Sequence, residues 1–324
     1  MILVVGGAGY IGSHFVEELV KYKDVIVLDN LSTGFRRLVN DKAVFIEGEL
    51  GDPHLLRSIF TTYRIAAVVH FAAASLVGES VADPQKYYLN NVGATLNLLQ
   101  AMLENQVKHI VFSSTAATYG TSNDGKITEM TAVRPINPYG RSKLVIEWIL
   151  EDYHRSYGLN YIVLRYFNAS GAHENGRIGE MHEPETHLIP IILQHLLGRM
   201  GSISVFGDDY PTRDGTCIRD YVHVTDLAKA HLASLEALLS GDVEKQIFNV
   251  GSGAGFSVRE VIEICEWVAG RQAKVMMEEK RQGDPAYLVA SNEKIKEWLG
   301  WSPTYKLPDI VRTAWKWHSR LADE

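Results

Sequence analysis

The chain has 324 residues, enough for about two domains and a sizeable core. With 46% hydrophobic and 22% charged residues it has the make-up of a soluble globular protein, and a net charge of −7 without any Lys/Arg run argues against a nucleic-acid surface. Its longest apolar stretches are strand-length, so no membrane span is expected, and the N-terminus lacks the basic start and long apolar core of a signal peptide.

Ile2 to Val5 reads as a buried strand. Gly7, Gly9 and Gly12 then fall on G-x-G-x-x-G, while Gly6, Gly9 and Gly12 fall on G-x-x-G-x-x-G. A helix near 11–22, opening at Tyr10-Ile11, follows at once. Such a turn brings backbone N–H groups to a pyrophosphate at a helix N-terminus, where the helix dipole favours negative charge. A tight turn without ligand would give the same glycines. The next strand, 25–28, decides between them, because Asp29 follows it about 20 residues after the glycines. A carboxylate there accepts hydrogen bonds from both ribose hydroxyls and repels a 2′-phosphate, which points to NAD rather than NADP.

Strands at 44–47, 67–71, 109–113 and 161–166 alternate with helices near 53–62, 84–104 and 138–157. That alternation predicts a parallel sheet covered on both faces, with ligands at the carboxyl ends of its strands. After Asn168 the pattern breaks: residues 168–190 are irregular, and a short strand follows at 202–206. Residues 219–228 resume a strand-helix pattern, and 246–250 a strand. Ser257 and Glu260 form a capping box for a helix with Val261, Ile264, Cys265 and Val268 on its apolar face. With no repeat and no low-complexity linker, the expected division is interleaved: 1–167 with 218–250, and 168–217 with 251–324. Cys217 and Cys265 form no C-x-x-C pair, which fits a reduced, cytoplasmic setting.

The strand at Ile110 ends in Ser113, Ser114 and Thr115, and Asn137-Pro-Tyr139-Gly-Arg-Ser-Lys143 follows. Pro138 suits a first helical turn, so Tyr139 and Lys143, at i and i+4, share one helix face. A phenol of pKa near 10 is a poor base at neutral pH, and a neighbouring ammonium is expected to lower it. With Thr115 bridging the same hydroxyl, the trio suits proton removal from an alcohol whose carbon loses hydride. One Tyr-x-x-x-Lys arises easily by chance in a chain with 15 tyrosines; its place after a dinucleotide turn gives it weight.

These segments, together with His70–Ser80, Ser113–Tyr119, Arg165–Asn168, Pro184–Pro190, Phe206–Tyr210, Asp214–Tyr221 and Gly283–Pro285, resemble the extended short-chain dehydrogenase/reductases, and among them the UDP-glucose 4-epimerase family, over nearly the whole length. The resemblance implies an α/β fold: a Rossmann-type doubly wound parallel sheet with a smaller interleaved C-terminal substrate domain. It implies that Tyr139 takes the proton of the sugar 4-hydroxyl while C4 gives hydride to tightly held NAD, and that the 4-keto sugar turns over with its UDP anchored. For NAD it implies Tyr10, Ile11, Asp29, Asn30, Leu31, Ser32, Thr33, Gly34, Glu49, Leu50, Phe71, Ala72, Ala73, Ser75, Asn90, Ser113, Tyr139, Lys143, Tyr166 and Phe167 beside the glycines. For the UDP-sugar it implies Thr115, Tyr139, Asn168, His187, Leu188, Ser204, Phe206, Arg219, Arg281, Asp284 and Leu288. Arg219 and Arg281 are forked donors that match a diphosphate, although each also suits a surface ion pair.

The chain departs from the family pattern at Glu49, where many relatives have Asp, and at Ser75, where some carry Lys. Related dehydratases place Asp-Glu after the active-site Thr; Ala116 and Ala117 stand here, so elimination is not expected. Leu288 stands where epimerases restricted to glucose and galactose have Tyr, which widens the pocket toward UDP-N-acetylhexosamines unless Tyr287 closes it; UDP-pentoses are a further alternative. A non-enzymatic NAD sensor would not need Thr115, Tyr139 and Lys143 together. His173, His182 and His187 are spaced for no compact site, so no metal is expected. Trp298, Trp301, Trp315 and Trp317 are expected to pack the second domain. Family members pair the two long helices across a two-fold axis, which implies a homodimer.

Overall fold

The computed structural model describes residues 1–121, 125–281 and 284–323; Gly283 of the Gly283–Pro285 segment lies outside them. The first half runs β1 (Ile2–Val5), α1 (Tyr10–Leu19), β2 (Val25–Asp29), β3 (Val44–Glu47), α2 (Pro53–Thr62), β4 (Ala67–His70), α3 (Val77–Ala82), α4 (Pro84–Tyr87), α5 (Ala94–Glu104), β5 (His109–Thr115), α6 (Pro138–Tyr157) and β6 (Asn160–Tyr166). The helix starts follow local chemistry. Asp52 accepts from the N–H groups of His54 and Leu55 ahead of Pro53, and Asn137 accepts from Gly140 ahead of Pro138. The helix expected over 84–104 is continuous, but a π turn at Tyr88–Gly93 widens it between α4 and α5.

The second half runs β7 (Asn168–Ser170), α7 (Leu188–Leu196), β8 (Ile203–Phe206), β9 (Ile218–His223), α8 (Val224–Ser240), β10 (Lys245–Val250), β11 (Gly255–Ser257), α9 (Val258–Ala269), β12 (Val275–Glu278), β13 (Tyr287–Leu288), α10 (Glu293–Leu299) and α11 (Leu307–Asp323). The capping box at α9 forms as expected, with Val261 and Cys265 buried and Ile264 and Val268 packed beside them.

Seven strands make one parallel sheet in the order β10-β6-β5-β4-β1-β2-β3. The α/β fold with a doubly wound parallel sheet is therefore present. Alternate residues of each strand face opposite ways. Val4, Val27, Val69 and Val111 meet α1 and α8 through Phe15, Leu19, Leu227 and Leu238. Leu3, Ile26, Val68 and Ile110 meet α2, α5 and α6 through Leu56, Leu98, Met102 and Ile146. The chain reverses direction between β1 and β4, which opens a crevice at their carboxyl ends.

A smaller sheet has the order β11-β9-β13 with β7 also on β9, and β8 pairs with β12 apart from it. The segment 218–250, expected wholly in the first unit, is divided: α8 and β10 join the large sheet, but β9 belongs to the smaller one. Asp220 of β9 is fully buried and accepts from the N–H groups of Ser252, Gly253 and Ala290. The tryptophans also divide. Trp315 and Trp317 pack in the second unit, Trp301 enters the core of the large sheet, and Trp298 is 50% exposed.

One buried network ties the large sheet to α6. Glu147 of α6 takes the guanidinium of Arg165 of β6 in a bidentate pair and accepts from the Ser114 hydroxyl of β5. Arg165 also donates to the Tyr119 hydroxyl at 3.0 Å, which donates to Asn249 at 2.7 Å. Breaking a buried pair strands its partner's charge. Arg165→Leu should cost about 3–5 kcal/mol, seen as a lower urea midpoint at pH 7. An unchanged midpoint would show that the pair contributes nothing to the fold.

Candidate active site

The glycine turn leaves β1 at the crevice. Gly6 has φ +80, and a Cβ there would lie 2.5 Å from the Ala72 nitrogen. A Cβ on Gly7 would press on Val27, and one on Gly12 would strike the Gly6 carbonyl. Gly9 differs: its Cβ would touch only the Gly6 oxygen, at 3.4 Å. Three glycines are thus demanded by packing, whereas the bareness of Gly9, the N-cap of α1, serves whatever sits outside the turn. That cradle fits a pyrophosphate on the first N–H groups of α1.

Asp29, at the end of β2, is buried beside it and accepts from the N–H groups of Ala8 and Leu31, both at 2.9 Å. Burial raises its pKa, opposed by those two bonds. The segment after Asp29 folds back over the turn: Leu31 has φ 57, Ser32 donates to Asn30, Gly34 packs on Ala8, and exposed Thr33 lies between them. Leu50 is buried, but Glu49 is exposed and holds Asn30 at 3.0 Å. After β4, the N–H groups of Phe71 and Ala72 both donate to the Val5 carbonyl, so this strand end lines the same crevice. Ala73 continues it and Ser75 is exposed. Ile11, half-buried, packs on the large-sheet core.

Tyr139, Lys143 and Thr115 meet at the carboxyl end of β5. The Lys143 ammonium donates to the Ser113 carbonyl at 2.8 Å and lies 4.8 Å from the Phe112 ring centre. Burial lowers its pKa to about 7, with Glu147 opposing. Burial raises the Tyr139 phenol above its ordinary value, and a hydrogen bond from Thr115 draws it back. The lowering expected from Lys143 is thus not realised in the chain by itself. The ammonium is spent on a carbonyl, and desolvation outweighs the rest. Tyr166 also borders the phenol, its own pKa raised by burial and then by Tyr139. Buried Phe167 donates its N–H to Val250.

The residues assigned to the UDP-sugar are spread over several elements. Arg219 donates to the Pro285 carbonyl at 2.7 Å and pairs with Asp284 at 3.2 Å, and Arg281 lies over the Phe206 ring at 3.8 Å. Ser204 is exposed on β8, and Asn168 donates to the Asp220 carbonyl at 2.9 Å. Leu288 packs on the buried cluster of Ala116, Tyr119, Ile127, Phe167 and Ala290, while the Tyr287 ring lies beside Gly255. His187 and Leu188 begin α7 on a separate loop.

Two buried residues escaped the sequence reading. Asn90 is exposed, but its neighbour Asn91 accepts from Ala74 N–H and donates to the Ala74 carbonyl and to Ser142, pinning the segment after β4 to α6. His231 of α8 bonds the Ser113 hydroxyl at 2.8 Å, behind the carbonyl that holds Lys143. The Asn90-Asn91 repeat was a signal for the first. Nothing local pointed to the second.

A profile of the NAD dependent epimerase/dehydratase family matches residues 2–251. The UDP-glucose 4-epimerase of Halalkalibacterium halodurans is 53% identical over 98% of this chain and 95% of its own. The chain belongs to the NAD dependent epimerase/dehydratase family. Two solved structures from this epimerase family are similar throughout. The Brucella ovis UDP-glucose 4-epimerase in complex with NAD has TM-score 0.94 and 47% identity over 97% of both chains. The Bifidobacterium longum UDP-glucose 4-epimerase in complex with NAD+ and UDP has TM-score 0.94 and 38% identity over 99% of both.

Lys143 should cost the ligand-free epimerase stability. Its folded pKa lies below that of the unfolded chain, about 10.4, so between roughly pH 7 and 10.4 the unfolded state binds more protons and stability rises with pH. Lys143→Met should therefore melt above the wild-type chain at pH 7, with the gap narrowing as pH approaches 10. Melting curves across that range check it; a variant that melts lower at pH 7 would refute it.

Proposed function

We infer that the chain interconverts UDP-glucose and UDP-galactose by 4-epimerisation with bound NAD. The observation that carries this is the meeting of Thr115, Tyr139 and Lys143 at the carboxyl end of β5, followed by Ala116 and Ala117. NAD, when bound, supplies a hydride acceptor for the sugar C4 and a positive ring charge that favours the phenolate. Gly9, Asp29, Leu50 and the Phe71–Ala73 segment would hold it. Tyr139 removes the proton from the 4-hydroxyl, and Thr115 orients that hydroxyl. The 4-ketone cannot leave by elimination, because Ala116 and Ala117 move no protons. Arg219, Arg281, Phe206, Asn168 and the start of α7 keep the UDP in place while the sugar turns. Tyr139 then returns its proton to O4 as the hydride comes back to the opposite face of C4.

Tyr139→Phe should cut turnover by about 10²–10⁴-fold, roughly 3–5 kcal/mol of barrier, with UDP binding nearly unchanged. Chromatography of UDP-galactose and UDP-glucose, with UDP titration alongside, reads both. A variant within a few-fold of wild type would remove the phenol from the mechanism.

UDP-N-acetylhexosamines are a second substrate class, favoured by the placement of Leu288. It packs on the cluster that contains Phe167 without ring or hydroxyl, and the Tyr287 ring lies beside Gly255. Leu288→Tyr should lower turnover of UDP-GlcNAc and UDP-GalNAc at least tenfold more than that of the hexoses. Equal effects on both classes would place the gate elsewhere.

The assembly we propose is a cytoplasmic homodimer. Among the described residues no helix is long and apolar enough to cross a membrane. The exposed Leu89, Leu96 and Trp148 give the helical run over 84–104 and α6 an apolar face for a second copy.

A further inference from the structure

The loop between β7 and α7 overturns the spacing argument against a metal. His173 does stand apart, near Glu18. But one ligand atom each from Glu180, His182, Glu185 and His187 all lie within 4.8 Å of one another. His187 Nδ1 is 3.0 Å from Glu180 Oε1 and 2.9 Å from Glu185 Oε1. His182 Nδ1 is 3.4 Å from Glu180 Oε1 and 3.7 Å from Glu185 Oε2. A tetrahedron of zinc with nitrogen and carboxylate ligands has edges of about 3.4 Å.

Hydrogen bonds leave this cluster incomplete. The His187 Nδ1 is within hydrogen-bond distance of Glu185. Glu180 Oε1 and His182 Nδ1 are both buried and without a hydrogen-bond partner, and Glu180 as a whole is 3% exposed. Buried polar atoms crowded together without well-formed hydrogen bonds are costly unless something between them satisfies them. Ligation requires both imidazoles to be deprotonated, and two carboxylates with two neutral imidazoles would carry a charge of −2, which one divalent cation neutralises.

We propose that Glu180, His182, Glu185 and His187 bind a single zinc-type divalent cation through two carboxylate oxygens and two Nδ1 atoms. The N₂O₂ set suits a borderline metal rather than calcium or magnesium, which take oxygen. Its surroundings make the ion a staple. His187 is the N-cap of α7, the Glu180 carbonyl accepts from Trp317 of α11 at 2.8 Å, and the His182 ring stands edge-on to Tyr10 at 6.2 Å. The ion would fix the start of α7 against α11 beside the glycine turn.

The test uses tag-free full-length protein, stripped with chelator. Zinc chloride is titrated against a chromophoric zinc indicator, and cobalt chloride is added to a second sample. One equivalent of zinc should bind with Kd of about 1 µM or tighter, and the cobalt form should show the intense visible bands of four-coordinate Co²⁺. His182→Gln and Glu185→Gln should each weaken zinc by at least a hundredfold. If wild type binds no more zinc than the two variants, the cluster is two imidazolium–carboxylate pairs and the proposal fails. Should the variants not fold, the wild-type cobalt spectrum decides, and pale octahedral cobalt overturns the proposal.

Discussion

The Glu147–Arg165 pair is the contact on which the site's geometry turns. It is buried, bidentate, and shared among β5, α6 and β6. Ser114, which it also holds, lies between Ser113 and Thr115. Ser113 offers its carbonyl to Lys143 and Thr115 its hydroxyl to Tyr139. Glu147 sits one turn beyond Lys143 on α6 and lifts the pKa that burial depresses. One carboxylate therefore sets the strand, the helix and part of the electrostatics together. A surface pair would be screened and contribute little; here desolvation makes it indispensable once formed.

The cofactor side rests on a different constraint, the closeness of two strand ends. β1 and β4 are neighbours, so the turns that follow them must share one space. Gly6 packs on Ala72, and Phe71 and Ala72 both donate to Val5. Gly9, at the first turn of α1, is the glycine of this turn that packing leaves bare. Asp29 stands beside that turn with its oxygens already oriented by two backbone N–H groups, the position from which we propose it takes a ribose.

Much of this was legible in the sequence because it is local. The first strands, the Asn137 and Ser257 caps and the i,i+4 placement of Tyr139 and Lys143 all follow from spacing within one or two turns. What stayed hidden depends on partners distant in the chain. β9 reads as a strand, yet only its pairing with β7, β11 and β13 assigns it to the smaller sheet. His231 supports Ser113 from 118 residues away. The histidines of 182–187 looked scattered because a ligand set was judged by linear spacing, whereas an irregular loop can fold its side chains inward. The phenol's raised pKa was missed for another reason: the sequence showed the lysine but not the dryness around it.

The placement of α8 and β10 bears on how the chain is made. Both complete the first sheet, one covering a face with Leu227 and Leu238, the other extending the edge beside β6. A ribosome releases the strands that they cover long before either emerges. Until α8 is out, Val4, Val27, Val69 and Val111 lack its cover, and until β10 follows, β6 offers an open edge. Such contacts, far apart along the chain, slow folding and leave nascent apolar surface exposed. A fragment ending after β6 would carry the glycine turn and Tyr139 yet leave that apolar face and the β6 edge uncovered.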